Sequence, residues 1–210
     1  MKPSLQTWSL FGALTLGLAG TAPACAAGAV VGQPAPAFQL TDTGGKAVSL
    51  ADFKGKHVVL EWVNPGCPFV QKHYDSGNMP ATQKGARAKD VVWLSVSSTA
   101  RDAGDYKAPA ELAGWLQKKG ATANATLMDD DGKVGRSYGA RTTPHMYVID
   151  PQGKLVYAGA IDSKPSTDVA DIKTATNYVN QALGETLAGK PVSKANTQAY
   201  GCSIKYGSGA

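Results

Sequence analysis

Cysteine is scarce in this chain, and no two cysteines are close enough in sequence to form a local pair. The chain has three, Cys25, Cys67 and Cys202, and Val70 stands where a Cys-x-x-Cys motif would need its second sulfur. A block of Lys or Arg is also missing. The basic residues are scattered and the formal net charge is only +5, which gives nucleic-acid binding little support. Beyond the N-terminus no segment approaches the roughly 18 apolar residues of a membrane span, so we expect no stable span in the mature protein.

The N-terminus has the pattern of a secretory signal peptide. Lys2 precedes an apolar stretch over residues 8–18, and small residues follow up to Ala27. We expect residues 1–26 to be cleaved and the mature protein to be periplasmic or secreted, where disulfides persist. A lipoprotein signal acylated at Cys25 is the alternative, although Ala22 stands where such signals usually carry leucine.

The rest of the chain alternates strand and helix patterns, with no internal repeat or interdomain linker. A hairpin is predicted over residues 38–50, followed by a short helix capped by Ser49 and Asp52. Strands are predicted at residues 57–63, 91–97, 127–128, 145–150 and 155–160. Helices are predicted from Pro68 and at residues 79–89, 110–119 and 168–188. This order predicts one α/β domain over residues 27–188, with a mixed sheet covered on both faces, and a C-terminal tail over residues 189–210.

Cys67 lies where an apolar strand ends, a turn follows and a helix begins. Asn64-Pro65-Gly66 is strong turn chemistry, and Pro68 suits the first position of a helix, so Cys67 is the predicted N-cap. A thiolate there would face free backbone N–H groups and the positive end of the helix dipole. This environment can lower a cysteine pKa from about 8.5 to between about 3.5 and 7.5. A buried cysteine that packs as a small hydrophobe is the alternative.

Cys67 after the first long strand, and a Thr-Thr-Pro triplet before the last hairpin, form a layout that resembles the thioredoxin superfamily. The peroxiredoxin-like (redoxin) branch, related to alkyl hydroperoxide reductases and thiol-specific antioxidant proteins, is the most similar. The resemblance is carried by residues 31–38, 66–70 and 139–150. It implies a thioredoxin-like fold, a cis peptide bond at Pro144 in a loop beside the active cysteine, and no organic cofactor.

Within that resemblance, the chain departs from the motif of thioredoxins and from the motif of typical peroxiredoxins. Val70 replaces the second cysteine of thioredoxins, and Leu60 and Asn64 stand where typical peroxiredoxins carry Pro and Thr or Ser. Asn64 could still donate a hydrogen bond to a bound peroxide. The resemblance therefore implies thiol chemistry more firmly than it implies a peroxidase.

The resemblance also places other residues near the sulfur. Arg141 is predicted to be catalytic, because a cation there would favour the thiolate, and His145 could shuttle protons near neutral pH. Both could equally be solvated loop residues. The predicted substrate-binding residues are Asn64, Pro68, Phe69, Thr143, Pro144 and His145.

Some members of the peroxiredoxin-like branch end in a Gly-Cys-Ser-Ile-Lys segment like the one around Cys202, which implies that the tail lies near the active site. We interpret the chain as an exported thiol oxidoreductase. Cys67 would attack a hydroperoxide or a protein disulfide, Cys202 would resolve the product, and an unidentified thiol would supply electrons. The alternatives are a permanent Cys67–Cys202 disulfide in a non-catalytic domain, and a Cu or Zn protein with Cys67, Cys202 and His145 as ligands.

Overall fold

The computed structural model describes Met1 and residues 28–208. Apart from Met1, the predicted signal peptide lies outside the described residues, and so does the choice between cleavage and acylation at Cys25. In the described part of the chain, no helix has the length and apolar character needed to cross a bilayer.

Within residues 28–208, a seven-stranded mixed sheet forms the centre of the fold, in the order β2-β1-β5-β4-β3-β7-β8. Its strands are β1 (Gln39–Asp42), β2 (Ala47–Ser49), β3 (Val58–Trp62), β4 (Val92–Ser97), β5 (Ala125–Met128), β7 (His145–Ile149) and β8 (Leu155–Gly159). Strands β3, β4 and β5 are parallel, whereas β7 runs antiparallel to β3 and β1 antiparallel to β5. Every residue of β3 and β4 is buried, as expected of apolar central strands with neighbours on both faces.

Helices cover both faces of this sheet. They are α1 (Pro68–Asp75), α2 (Asn78–Arg87), α3 (Pro109–Lys118), α4 (Lys133–Tyr138) and α5 (Tyr178–Leu187), with short 3-10 helices at Leu50–Phe53 and Val169–Lys173. Helices α1, α2, α3 and α5 pack on a first core, and α4 packs on a second core across the sheet. Successive residues of β3, Val59 and Leu60, point into the first and second core respectively, because side chains alternate along a strand. The predicted α/β architecture, including the N-terminal hairpin, is confirmed.

The prediction of one long helix over residues 168–188 is wrong. Asp168 caps the second 3-10 helix by accepting from the amide of Ala170, and Asn177 starts α5 by accepting from the amide of Asn180. Two side chains that cap separate helices override the apolar repeat, because each satisfies backbone donors that a continuous helix would use internally. Val169 is 47% exposed, so the buried face belongs to α5 alone.

The tail over residues 189–208 is ordered along the surface of the domain. It first runs beside β8, where the amide of Thr197 donates to the carbonyl of Ala158. Cys202–Ser203 then forms strand β9, which pairs antiparallel with β6 (Thr142–Thr143). Beyond β9, the amide of Ala100, just after β4, donates to the carbonyl of Lys205. The tail therefore crosses the edge of the sheet at which β3 and β4 end, which is also where Cys67 lies.

Candidate active site

The turn before α1 fixes the position of Cys67. The amide of Cys67 donates to the carbonyl of Asn64 at 3.1 Å, and the amide of Gly66 donates to the Asn64 side-chain oxygen at 2.7 Å. Cys67 is the N-cap of α1, with extended φ and ψ of −85° and 120°, and Pro68 is the first helical residue. This local geometry follows the sequence prediction, so the sulfur sits at the end of the helix where amides lack intrahelical acceptors.

Cys67 and Cys202, 135 positions apart in the chain, are joined by a disulfide, with Cα atoms 5.8 Å apart. The two sulfurs differ in exposure: Cys67 is 2% exposed, whereas Cys202 is half-buried. The Cys67 Sγ lies 3.0 Å from the carbonyl oxygen of Thr143 and accepts from the amide of Cys202 at 3.4 Å. Both cysteines of the predicted pair are therefore within bonding reach at one site.

The proline loop lies against this disulfide. The peptide bond between Thr143 and Pro144 is cis, as the resemblance implies, and Thr143 pairs with Cys202 across strands β6 and β9. Gly201 lies so close to the Thr143 carbonyl that a Cβ atom there would collide with it, and its φ of 129° is one that side chains disfavour. The absence of a side chain at residue 201 thus allows the tail to approach the proline loop.

Arg141 and His145 lie in this loop, and the His145 ring packs on Tyr147 rather than on the sulfur. Arg141 is exposed, and its backbone carbonyl accepts from the amide of Ile204 in the tail. The His145 ring stacks on Tyr147 at 4.6 Å and its Nδ1 is 3.3 Å from the Tyr147 hydroxyl. Tyr147 belongs to the second core, whereas Cys67 belongs to the first. Burial, helped by the charge of Arg141, lowers the pKa of His145 to about 4, so this imidazole is neutral at pH 7.

The remaining predicted site residues beside Cys67 lie in the turn before α1 and in its first turn. The side-chain amide of Asn64 donates to the Thr99 hydroxyl at 3.1 Å and to the Asp105 carboxylate at 2.9 Å, so both of its hydrogens are used inside the protein. Pro68 is exposed, and the half-buried ring of Phe69 packs 5.7 Å from that of Tyr200 in the tail. Asn64 thus holds the loops around the sulfur, and Phe69 contacts the tail.

A buried polar cluster next to this site was not predicted. His73 on α1 is fully buried, and its Nε2 lies 3.1 Å from the Tyr200 hydroxyl. That hydroxyl donates to the carboxylate of Asp162, itself 2% exposed, at 2.5 Å. Burial lowers the pKa of His73 to about 4, against the opposite effect of Asp162. From the sequence alone, His73 is expected only to be packed or solvent-facing, because its partners lie in distant segments of the chain.

Glu61 is a second unpredicted feature, a fully buried carboxyl group in the middle of β3. It accepts hydrogen bonds from the hydroxyl of Tyr74, the amide of Gln83, the indole of Trp93 and the hydroxyl of Ser95. Burial raises the pKa of Glu61, and these donors act in the opposite direction. A charged residue inside an otherwise apolar strand was the signal available in the sequence.

The geometry offers little to the metal-binding alternative. Within residues 28–208, no group of three or more His, Cys, Asp and Glu side chains is placed to hold a metal ion. Cys67 and Cys202 are bonded to each other, and the His145 ring faces Tyr147. The three side chains suggested as ligands therefore do not converge.

Known proteins resemble this chain in sequence and in fold. The thiol:disulfide interchange protein DsbE of Yersinia pestis is 31% identical over 153 residues, which cover 71% of this chain and 74% of that protein. An uncharacterized conserved protein from Geobacillus kaustophilus superposes with a TM-score of 0.73 at 26% identity, over 86% of this chain and 94% of its own. The thioredoxin domain of a thiol-disulfide oxidoreductase from Bacteroides vulgatus superposes with a TM-score of 0.50 at 26% identity, over 69% of this chain and 96% of its own.

These similarities confirm the thioredoxin-like fold, with its mixed sheet between layers of helices. Together with the Cys67–Cys202 disulfide, they identify the chain as a thiol-dependent oxidoreductase. The sequence profile of the AhpC/TSA family matches residues 31–158, which is more than half of the chain. The chain therefore belongs to the AhpC/TSA family.

Proposed function

We propose that the protein cycles between a dithiol and the Cys67–Cys202 disulfide, with Cys67 as the attacking sulfur and Cys202 as the resolving one. The observation that carries this proposal is the position of the disulfide, between the N-cap of α1 and the strand that pairs beside the cis proline. A cysteine at a helix N-terminus is a good nucleophile and a good leaving group, because the amides and the helix dipole favour its thiolate.

Thiol-disulfide exchange is the reaction that the geometry supports best. The Cys67 thiolate attacks one sulfur of a substrate disulfide, forms a mixed disulfide and expels the other substrate sulfur as a thiolate. The Cys202 thiolate then attacks Cys67 in the mixed disulfide, closes the intramolecular bond and releases the second substrate thiolate. The substrate gains two electrons and the cysteine pair loses two. Thr143, which pairs with Cys202 in the oxidised protein, and the adjacent cis Pro144 form the substrate side of this site.

A hydroperoxide is the second oxidising substrate that we consider, because the chain belongs to the AhpC/TSA family. The Cys67 thiolate would attack the terminal peroxide oxygen, form a sulfenic acid and release the alcohol or water after proton uptake. Cys202 would then condense with the sulfenic acid to give the disulfide and one water. The side-chain amide of Asn64 already has two acceptors, so the donor expected at this position is not free in the oxidised protein.

The unequal exposure of the two sulfurs indicates where an electron donor attacks. Cys67 is almost fully buried, whereas Cys202 is half-buried. An incoming thiolate would therefore form its mixed disulfide with Cys202 and expel the Cys67 thiolate. A second thiol of the donor would then release Cys202. This order places the better leaving group at the helix N-terminus.

We also propose that the protein acts outside the cytoplasm, in the periplasm or after secretion. The support is the signal-like pattern over residues 1–26. A reversible disulfide partnered by an external thiol is compatible with such an oxidising compartment. Mass determination of the mature protein tests this point: a chain that starts near residue 27 is expected, and an acylated Cys25 would contradict cleavage there.

Stopped-flow oxidation of the reduced protein tests the function. Wild type, Cys67→Ser and Cys202→Ser would each be mixed with hydrogen peroxide and, separately, with a protein disulfide. We expect Cys67→Ser to abolish the rapid reaction and Cys202→Ser to stop at a mixed disulfide or sulfenic acid. A rate with hydrogen peroxide no faster than that of free cysteine would leave disulfide exchange as the activity. A reduction potential below about −300 mV would favour a permanent structural disulfide instead.

A further inference from the structure

The tail is fixed to α1 at two points, and only one of them is the disulfide. Cys67 lies at the start of α1, and His73 lies on the same helix. Cys202 is bonded to Cys67 through sulfur, and the Tyr200 hydroxyl is hydrogen-bonded to His73. Because Tyr200 is only two residues before Cys202, its contact restrains the part of the tail next to the second sulfur.

The hydrogen bonds around Tyr200 have one consistent direction. The side-chain amide nitrogen of Asn78 lies 2.9 Å from Nδ1 of His73 and can only donate, so in this arrangement Nδ1 accepts and the imidazole proton is on Nε2. Nε2 then donates to the Tyr200 oxygen, and the Tyr200 hydroxyl donates to Asp162. Asp162 has one oxygen without a partner in the described part of the chain. The other oxygen accepts from both the Tyr200 hydroxyl and the amide of Lys164, so the carboxylate is held in place to accept that hydroxyl.

The geometry points to Tyr200 as a positioning residue that holds Cys202 within reach of Cys67 during disulfide closure. This inference rests on the proposed function, because it concerns the rate at which the proposed pair closes. Phe69, on α1 two residues after Cys67, packs on the Tyr200 ring and so fixes the ring while the hydroxyl is held by Asp162. Tyr200 itself is not catalytic, since its hydroxyl bonds to His73 and Asp162 rather than to a sulfur.

The size of the effect follows from the length of chain that Tyr200 restrains. With Tyr200 fixed, Cys202 stays within about 7 Å of Tyr200, which is the reach of two extended residues. Tethered only at the end of α5, it would explore a radius of roughly 21 Å, and tethered at Thr197 roughly 12 Å. The accessible volume therefore grows about 5- to 30-fold when the Tyr200 contact is lost. A hydrogen bond to a charged partner contributes roughly a ten- to hundredfold factor to an equilibrium constant, so its loss shifts the tail toward release.

Oxidation of the reduced full-length chain by 5,5′-dithiobis(2-nitrobenzoate) separates the two steps. In the first, a cysteine thiolate attacks the reagent, forms a mixed disulfide and releases one aromatic thiolate at a rate that depends on reagent concentration. In the second, the other cysteine displaces the remaining aromatic thiolate and forms Cys67–Cys202, at a rate independent of that concentration. We expect Tyr200→Phe to slow the second step about 5- to 30-fold and to change the first by less than about twofold.

Two further comparisons identify the hydroxyl as the cause. Tyr178→Phe removes a hydroxyl from the wall of the same small cavity beside Asp162 and Tyr200, and it should leave both steps unchanged. Asp162→Asn keeps an oxygen that can accept from Tyr200, so the closing step should be faster in this variant than in Asp162→Ala. Equal closing rates in wild type and Tyr200→Phe would overturn the inference while the proposed function stands, and so would an equal slowing of both steps. Release of only one aromatic thiolate by wild type would refute the proposed function and, with it, the inference.

Discussion

Acidification should release the tail from the body of the protein, because the docked tail keeps His73 neutral. Tyr200 covers the imidazole, and burial lowers the pKa of His73 to about 4. The charged or polar groups around it are Asp162, which raises the pKa, Lys72, which lowers it, Tyr200 and Asn78. When the tail leaves, water reaches the ring and its pKa returns toward about 6.5. Protons therefore bind the released state more tightly than the docked state.

The sign and the magnitude follow from this difference. Above a pH of about 6.5 the imidazole is neutral in both states, and docking has its full stability. Docking weakens as the pH falls from about 6.5 toward about 4, since the released state alone takes up the proton. A gap of about 2.5 between the two pKa values corresponds to at most about 3.4 kcal/mol, at about 1.36 kcal/mol for each pKa unit.

Hydrogen exchange at tail amides measures this effect without interference from thiols. In a Cys67→Ser/Cys202→Ser variant, the protection of the Thr197 and Ile204 amides, which bond to Ala158 and Arg141, should fall as the pH is lowered from about 6.5 to about 4. The fall should approach tenfold per pH unit after correction for intrinsic exchange. In the same background, His73→Gln should give a nearly flat profile. Protection in the His73-containing protein that does not change over this range would refute the reasoning.

Three further variants probe the packing around the two sulfurs. Gly201→Ala places a Cβ against the Thr143 carbonyl, so we expect the closing step with the aromatic disulfide to slow at least about tenfold; an unchanged rate would show that β9 need not pair for closure. Glu61→Leu leaves the indole of Trp93 and other buried donors without an acceptor, and should lower the free energy of unfolding in urea by about 2–5 kcal/mol, more than Glu61→Gln. Asn64→Ala should lower the free energy of unfolding in urea by about 1–3 kcal/mol. It should leave the rate at which the reduced protein reacts with hydrogen peroxide nearly unchanged. A tenfold slower reaction would indicate that Asn64 binds the peroxide.

The features that the sequence predicts depend on neighbouring residues. The turn at Asn64, the proline after Cys67 and the apolar run of β3 are adjacent in the chain, so the N-cap position of the sulfur follows from local rules. The cis bond at Pro144 follows from family resemblance rather than from residue chemistry. The prediction of one continuous last helix is wrong for a local reason too, because the cap at Asn177 overrides an apolar period that is only a weak signal.

The features that the sequence misses depend on pairs far apart in the chain. Strands β6 and β9 have two residues each, too few to show a period, and they exist because the tail lies beside the proline loop. The cluster of His73, Asp162 and Tyr200 joins α1, the loop after β8 and the tail. Each residue alone has an ordinary explanation, and only the fold brings the three together.

The separation of Cys67 and Cys202 changes what controls the reaction. In a Cys-x-x-Cys pair, one turn of helix holds both sulfurs, so closure depends mainly on their ionisation. Here the second sulfur is carried by a tail, so in the proposed cycle closure would also require the tail to be docked. Cys67 depends on α1 and its turn, whereas docking depends on Tyr200 and the partners of β9. In the proposed cycle, substitutions in the tail should therefore change the closing rate without changing the reactivity of Cys67, and substrates that bind at the proline loop would compete with the tail for β6.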